Sequence, residues 1–551
     1  MISRRDFLTR SALASSAVLL PGLGLTTPIR PEEFVNVEIK HGKLRGQRTD
    51  GVNVFKGIPY GGSVSGNRRF QRPATLQSWT GVRDALQFGA PAMQGPRRNE
   101  PPPSEDCLFL NVWTPANDNR KRPVMFYSHG GGFVIGSGAS ASQDGSNLAR
   151  NFDVVVVETN HRLGLFGFLY LDEIAGPDFK GSGNMGVLDI VDGLKWVHDN
   201  IAQFGGDPDN VMIFGESGGG AKTSCLYAMP SAAAYFNKAS IESGPGVRMT
   251  TMEIAAETTA GLLKELQIAP QNWRKLFEVP AADLLTLQGK LPFVAPFLEK
   301  NKTAEGMRNR LGGFGPVVDG GALPHHPFDP KAPDISKNKP LLVGWNEDEY
   351  TFFAWERKDT ETFKLDFDGL QQKLSERYGA DASKIIATYR HARPQATAPD
   401  IFVAVSSITM MGLGSVEIAE KKSQQQGAPV YLYNFGYKSE KKIPGTDYPM
   451  GTPHAMDISF KFNNEIPPRD GSEPKESFFG GNRPERFKAS HNFAELWTTF
   501  ARTGKPALKG GPGWPAYNLE SRSTMRIDTN CEVIDNRFSE ELSMWRAIDK
   551  L

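Results

Sequence analysis

Asn210-Val211-Met212-Ile213-Phe214-Gly215-Glu216-Ser217-Gly218-Gly219 runs an apolar stretch straight into a serine set among glycines. The apolar half reads as a buried strand, and Ala221 to Met229 just beyond reads as a helix. Gly215 to Gly219 fits G-x-S-x-G. A chain turning this sharply from strand to helix needs small residues at the bend, and it forces the serine into a strained conformation with its hydroxyl exposed. That elbow belongs to the α/β-hydrolase fold, with Ser217 as nucleophile. A phosphate-binding loop is the rival reading, and it requires G-x-x-x-x-G-K-[ST]. Gly215 to Thr223 misses that pattern by one position, because Ala221 separates Gly220 from Lys222 and carries the lysine around the helix.

Outward from the elbow, Pro123 to Tyr127 and Asp153 to Glu158 are also continuous apolar runs, as expected for strands covered on both faces. Between Glu158 and Asn210, Val187, Ile190, Val191, Leu194, Val197 and Ile201 recur at helical spacing over Gly186 to Gln203. Strand, helix and strand at this separation predict a βαβ unit and a mostly parallel sheet. Short strands are expected at Val35 to Ile39, Lys43 to Gln47 and Val52 to Phe55, and later at Pro340 to Trp345, Pro429 to Phe435 and Thr524 to Asp528. Ala255 to Leu266 and Phe363 to Tyr378 read as amphipathic helices, while Met93 to Ser104 and Asn463 to Ser477 read as surface loops. No internal period and no linker divides the chain. One sheet with long helical insertions is the expected architecture.

A serine nucleophile needs a place for negative charge and a base. His129-Gly130-Gly131-Gly132-Phe133 follows the strand ending at Tyr127, and a glycine run leaves backbone N–H groups open to a developing oxyanion. The amides of Gly131, Gly132 and Gly218 are assigned to that hole. Chain order in this fold is Ser, acid, His, which selects a late histidine among the nine present. His454 lies in a loop after the Pro429 to Phe435 strand, whereas His491 starts a helical stretch where a solvated role is expected. The acid should follow an intervening strand, and Glu347, Asp348 and Glu349 all stand at the end of one. Spacing does not choose among the three.

Composition narrows the rest. The 551 residues are 39% hydrophobic and 23% charged with net charge +1, which provides no basic field for nucleic acid. Cys107, Cys225 and Cys531 lack metal spacing and allow one disulfide at most, so no metal or other cofactor is expected. At the start, Ser3-Arg4-Arg5-Asp6-Phe7-Leu8 precedes a short apolar run interrupted by Pro21, the layout of a twin-arginine export signal. The expectation is a signal over residues 1–30 and a single catalytic domain over 31–551, periplasmic or secreted, without a membrane span once mature. The oligomeric state is left open.

These segments together resemble the type-B carboxylesterase family over nearly the whole chain after the leader. The resemblance includes Phe55 to Tyr60, Glu105 to Val112, Asn160 to Gly164, Phe204 to Pro208, Pro316 to Gly320 and Trp514 to Tyr517. It implies a serine carboxylesterase acting on small-molecule esters, with Ser217, Glu349 and His454 as the triad; the same groups would also serve amides or carbamates. It further implies structural ion pairs Arg69–Glu105 and Arg162–Asp189, and a structural or supporting place for Glu216. Where the family has a cysteine bridged to the one at Cys107 this chain has Ala92, so Cys107 is expected as a thiol. The tryptophan used for choline binding is missing, which points away from choline esters. Tyr350 and Ala455 replace family glycines and are expected to reshape the pocket. Pro292 to Gly312 and Ile401 to Gly414 are the expected sources of substrate pockets.

Overall fold

Val155 and Val157 join one apolar cluster while Val156, between them, joins another. The same alternation holds in three more strands: Ile213 against Met212 and Phe214, Val343 against Leu342, Leu432 against Tyr431 and Tyr433. Successive side chains of a strand point to opposite faces, so an unbroken apolar run is a strand with a core on each side. A computed structural model describes residues 33–290, 313–469 and 472–549. The leader motif and the Pro292 to Gly312 insertion, with Phe293 and Phe297, lie outside the described residues.

Thirteen of the described strands form one sheet. Its order is Glu33–Ile39, Gly42–Thr49, Val52–Pro59, Phe109–Thr114, Val155–Thr159, Arg122–Ser128, Gly206–Glu216, Lys238–Glu242, Leu341–Asn346, Val430–Phe435, Thr524–Ile527 and Glu532–Ile534, with Val82–Asp84 beside Gly42–Thr49. From Val155–Thr159 through Thr524–Ile527 every adjacent pair is parallel. Along that order the pairs from Gly42–Thr49 to Val155–Thr159 and at Glu532–Ile534 are antiparallel, while Val82–Asp84 lies parallel to Gly42–Thr49. This is the α/β-hydrolase architecture. The helix Met185–Asn200 covers one face with Val187, Ile190, Val191, Leu194 and Val197. Glu485–Thr503 covers the other with Phe493, Leu496, Trp497 and Phe500.

The expected βαβ unit is present with one change. Its two strands, Val155–Thr159 and Gly206–Glu216, are not neighbours, because Arg122–Ser128 pairs between them. The strand expected from Asp153 begins at Val155, since Asp153 takes a left-handed conformation (φ 53°) that ends the helix Ser146–Phe152. The helix expected over Phe363 to Tyr378 is broken. A short turn, Glu361–Lys364, gives way to Asp366, whose carboxylate accepts from the Gly369 N–H at 2.8 Å and caps a new helix, Phe367–Tyr378. His491 lies within the Glu485–Thr503 helix instead of at its start, and its side chain is 59% exposed.

Ile401 to Gly414 belongs to a helical run, Ala398–Gln424, with a π turn at Ile408–Gly412. It is long and apolar enough to cross a membrane, yet 83% of its most apolar stretch is buried within the protein. A core helix satisfies the same pattern.

Candidate active site

Ser217 and Glu349 stand just beyond two of the parallel strands, Gly206–Glu216 and Leu341–Asn346. His454 lies in a turn after the small hairpin Ser439–Lys442 and Pro449–Gly451 that follows a third, Val430–Phe435. Ligands of open α/β sheets bind outside the strands' carboxyl ends. The elbow is built on absent side chains. Ser217 has φ 58° and ψ −121°, a region costly for any residue bearing a Cβ. A Cβ at Gly219 would lie 2.0 Å from the Ser128 carbonyl, one at Gly215 would lie 2.6 Å from the same oxygen, and one at Gly244 would lie 1.8 Å from the Ser217 carbonyl. The Ser217 N–H donates to the Glu242 carbonyl at 2.9 Å, tying the bend to the next strand.

The His454 ring bridges the other two groups. Its Nδ1 is 2.5 Å from Glu349 Oε2 and its Nε2 is 2.8 Å from Ser217 Oγ. Glu349 is fully buried and His454 nearly so. The other oxygen of Glu349, Oε1, accepts from the Asn346 N–H at 2.7 Å. Asn346 Nδ2 donates to the Pro453 carbonyl at 2.8 Å, which pins the histidine loop to the strand carrying the acid. The three-way choice among carboxylates is resolved by partners. Glu347 faces Lys438 and Arg537, Asp348 takes the Thr452 N–H and Lys438, and Glu349 meets the imidazole.

Gly131 (φ 85°) and Gly132 (φ 64°) hold the left-handed turn that wraps past the elbow. A Cβ at Gly218 would fall 2.5 Å from the Gly132 N, so the two backbones abut. Gly218 opens the helix Gly218–Ala228, where the first N–H groups have no intrahelical acceptor. Behind the loop, Lys222 Nζ donates to the His129 carbonyl at 2.9 Å, and the His129 and His161 rings stack at 4.4 Å. Burial and then the Lys222 charge push both imidazoles well below the ordinary range, so neither suits the part of a base that cycles its proton.

Glu216 introduces a second carboxylate. Its Oε1 is 3.3 Å from His454 Nε2, and the side chain is 2% exposed. Burial raises its pKa to about 8, against the lowering effect of a charged His454. Burial works against the imidazolium of His454, but Glu216 and Glu349 outweigh it and raise that group above its ordinary value. Phe353 and Phe352 pack their rings 4.9 and 5.6 Å from the imidazole, lending it an apolar wall.

The two family-type ion pairs are present, with Arg69 Nε 2.5 Å from Glu105 and Arg162 Nη2 2.7 Å from Asp189. Cys107 and Cys531 are free thiols, and Cys225 is buried. Ala455 has a left-handed backbone (φ 65°), a region that favours glycine, and Tyr350 is buried with its ring 5.2 Å from Phe402 and its N–H donating to Ser407 Oγ at 3.1 Å. Phe314, just beyond the first expected pocket insertion, is 4% exposed and packs in the core. Sequence reasoning did not reach Asn346, Glu242, Asp457 or Lys461. The available signal was a lysine and an aspartate four apart on one short helix, Met456–Lys461, both fully buried.

Residues 33–545 match the model of the carboxylesterase family. The chain is 34% identical to the para-nitrobenzyl esterase of Bacillus subtilis, over 92% of this chain and 97% of that protein. It is 30% identical to the phenmedipham hydrolase of Pseudarthrobacter oxydans, over 89% and 95%. The crystal structure of a Geobacillus stearothermophilus carboxylesterase superposes with a TM-score of 0.76 at 35% identity, covering 93% of this chain and 99% of its own. Sheet order, serine elbow and likeness over almost the full length agree, and the chain belongs to the carboxylesterase family.

Proposed function

We propose that this protein hydrolyses carboxylic esters of small molecules through an acyl-enzyme on Ser217. The observation that carries the reading is the single imidazole within hydrogen-bond reach of both Ser217 Oγ and Glu349. His454 Nε2 takes the hydroxyl proton as Oγ attacks the carbonyl carbon, and Glu349 steadies the charged ring. The amides of Gly131, Gly132 and Gly218 receive the oxyanion. The alcohol leaves with the proton from His454, and water then releases the acid by the same path. Ser217→Ala should lower kcat on p-nitrophenyl acetate by roughly 10⁶, the loss seen when such a triad loses its nucleophile. A fluorophosphonate should label the parent enzyme and not the variant. Near-normal turnover in the variant would end the proposal.

Carbamate cleavage is a second reading, favoured by the likeness to a protein named phenmedipham hydrolase. It needs the same nucleophile and differs in the group that leaves, so a matched ester and carbamate pair separates the two. We also propose that residues 1–30 direct export of one catalytic domain, residues 31–551, to the periplasm or beyond. Arg4-Arg5 ahead of an apolar run supports it. Replacing both arginines by lysine should leave the enzyme in the cytoplasm.

A further inference from the structure

Lys461 is 0% exposed, an expensive position for an ammonium group. Its Nζ reaches two carboxylates that are also 0% exposed, Glu242 Oε2 and, at 3.1 Å, Asp457 Oδ2. Each of these is joined to the catalytic groups. Glu242 offers its backbone carbonyl to the Ser217 N–H, while its Oε1 accepts from Trp497 Nε1 at 2.6 Å and Ser240 Oγ at 2.8 Å. Asp457, three residues after His454, accepts from Asn346 Nδ2 at 3.0 Å. Asn346 in turn holds Glu349 by its N–H and the residue before His454 by its side chain. One buried cation therefore ends two short chains of hydrogen bonds, one leading to the nucleophile's backbone and one to the acid and the base.

We propose that Lys461 is a positioning residue for the Ser217, Glu349 and His454 constellation, holding the Glu242 and Asp457 side chains in place beneath it. The inference rests on the esterase reading above. The reason is electrostatic as well as geometric. His454 is faced by Glu216, Glu349 and Asp457, with Glu242 beyond them and the Asp348–Lys438 pair at Thr452 two residues away. Among these Lys461 contributes positive charge against four buried carboxylates. Without it, uncompensated carboxylates hold the imidazole protonated to higher pH, and the hydrogen bonds that set the geometry lose their common anchor. Both effects impair a base that must be neutral and correctly placed before it acts.

Three variants test this, assayed as kcat, KM and pH profile on p-nitrophenyl acetate. Lys461→Met should reduce kcat at least tenfold, with KM within twofold. Its acid limb in kcat/KM should move upward by roughly 0.5–1 pH unit, as loss of a nearby cation favours the charged imidazole. Lys461→Arg keeps the charge and should restore the position of the limb. Should Lys461→Met not fold, Asp457→Asn leaves Lys461 paired with Glu242 and removes an anion, so its limb should move downward. A folded Lys461→Met with the parent's kcat and limb overturns the proposal. So does a loss of activity that follows thermal stability alone while the limb stays fixed in all three. Labelling of the parent by a fluorophosphonate separates this failure from failure of the esterase reading, which predicts that label whatever Lys461 does.

Discussion

Glu216 sits one residue before the nucleophile and shares the neighbourhood of Nε2 with it, so its charge sets where His454 becomes a free base. The sign follows directly. A carboxylate beside an imidazole favours the charged ring and raises its pKa, and general-base activity is lost as pH falls through that raised value. The acid limb should thus lie above the ordinary histidine value of about 6.5. Turnover should still climb between pH 7 and 8. Glu216→Gln removes the anion and should bring the limb down by about one unit in a kcat/KM profile on p-nitrophenyl acetate. An unmoved limb would mean that Glu216 already carries a proton across the working range, which its own raised pKa of about 8 allows.

The elbow is a property of an element junction more than of any one side chain. The strand Gly206–Glu216 and the helix Gly218–Ala228 are joined by the single residue Ser217. The helix can start that close to the sheet because Gly215 and Gly219 let the Ser128 carbonyl pass. Gly219→Ala should therefore act on the whole junction: a Cβ 2.0 Å from a strand carbonyl requires the helix to move outward. The expected result is loss of most esterase activity together with loss of fluorophosphonate labelling, and a lower melting temperature. A variant that retains both activity and label would show that the helix can retreat without carrying Ser217 away from His454.

Across the molecule, distant segments are fastened by buried polar groups as well as by apolar packing. Arg162, in the turn after Val155–Thr159, bonds Asp189 of the covering helix at 2.7 and 2.8 Å and donates to the Gln71 carbonyl at 2.7 Å, so one guanidinium joins three parts of the chain. Both partners of the ion pair are at most 2% exposed. Arg162→Met leaves Asp189 charged and unpaired, which should cost about 3–5 kcal/mol in urea unfolding. Adding Asp189→Leu should recover much of that loss, since a buried pair replaced by apolar groups of similar size is often neutral. Failure to recover would assign the cost to the Gln71 contact instead.

The positions of most strands along the chain, the serine elbow and the glycine loop were legible from sequence because each is local, and chain order in the fold pointed to the late histidine. The order of strands in the sheet was not legible, Arg122–Ser128 inserting between the two strands of the expected unit. An apolar run, a glycine that no other residue can replace at a tight turn, and helical spacing are written in adjacent residues. Glu349 was one of three equivalent carboxylates until the family resemblance singled it out, and spacing had no means to decide. Its selection is a matter of which carboxylate points at an imidazole 105 positions away, while Glu347 and Asp348 turn to Lys438. The Lys461 network lay beyond reach for the same reason. Burial and pairing across hundreds of residues are set by how the sheet, the Met456–Lys461 helix and the loops close on one another, and only the tertiary structure brings Glu242 and Lys461 together.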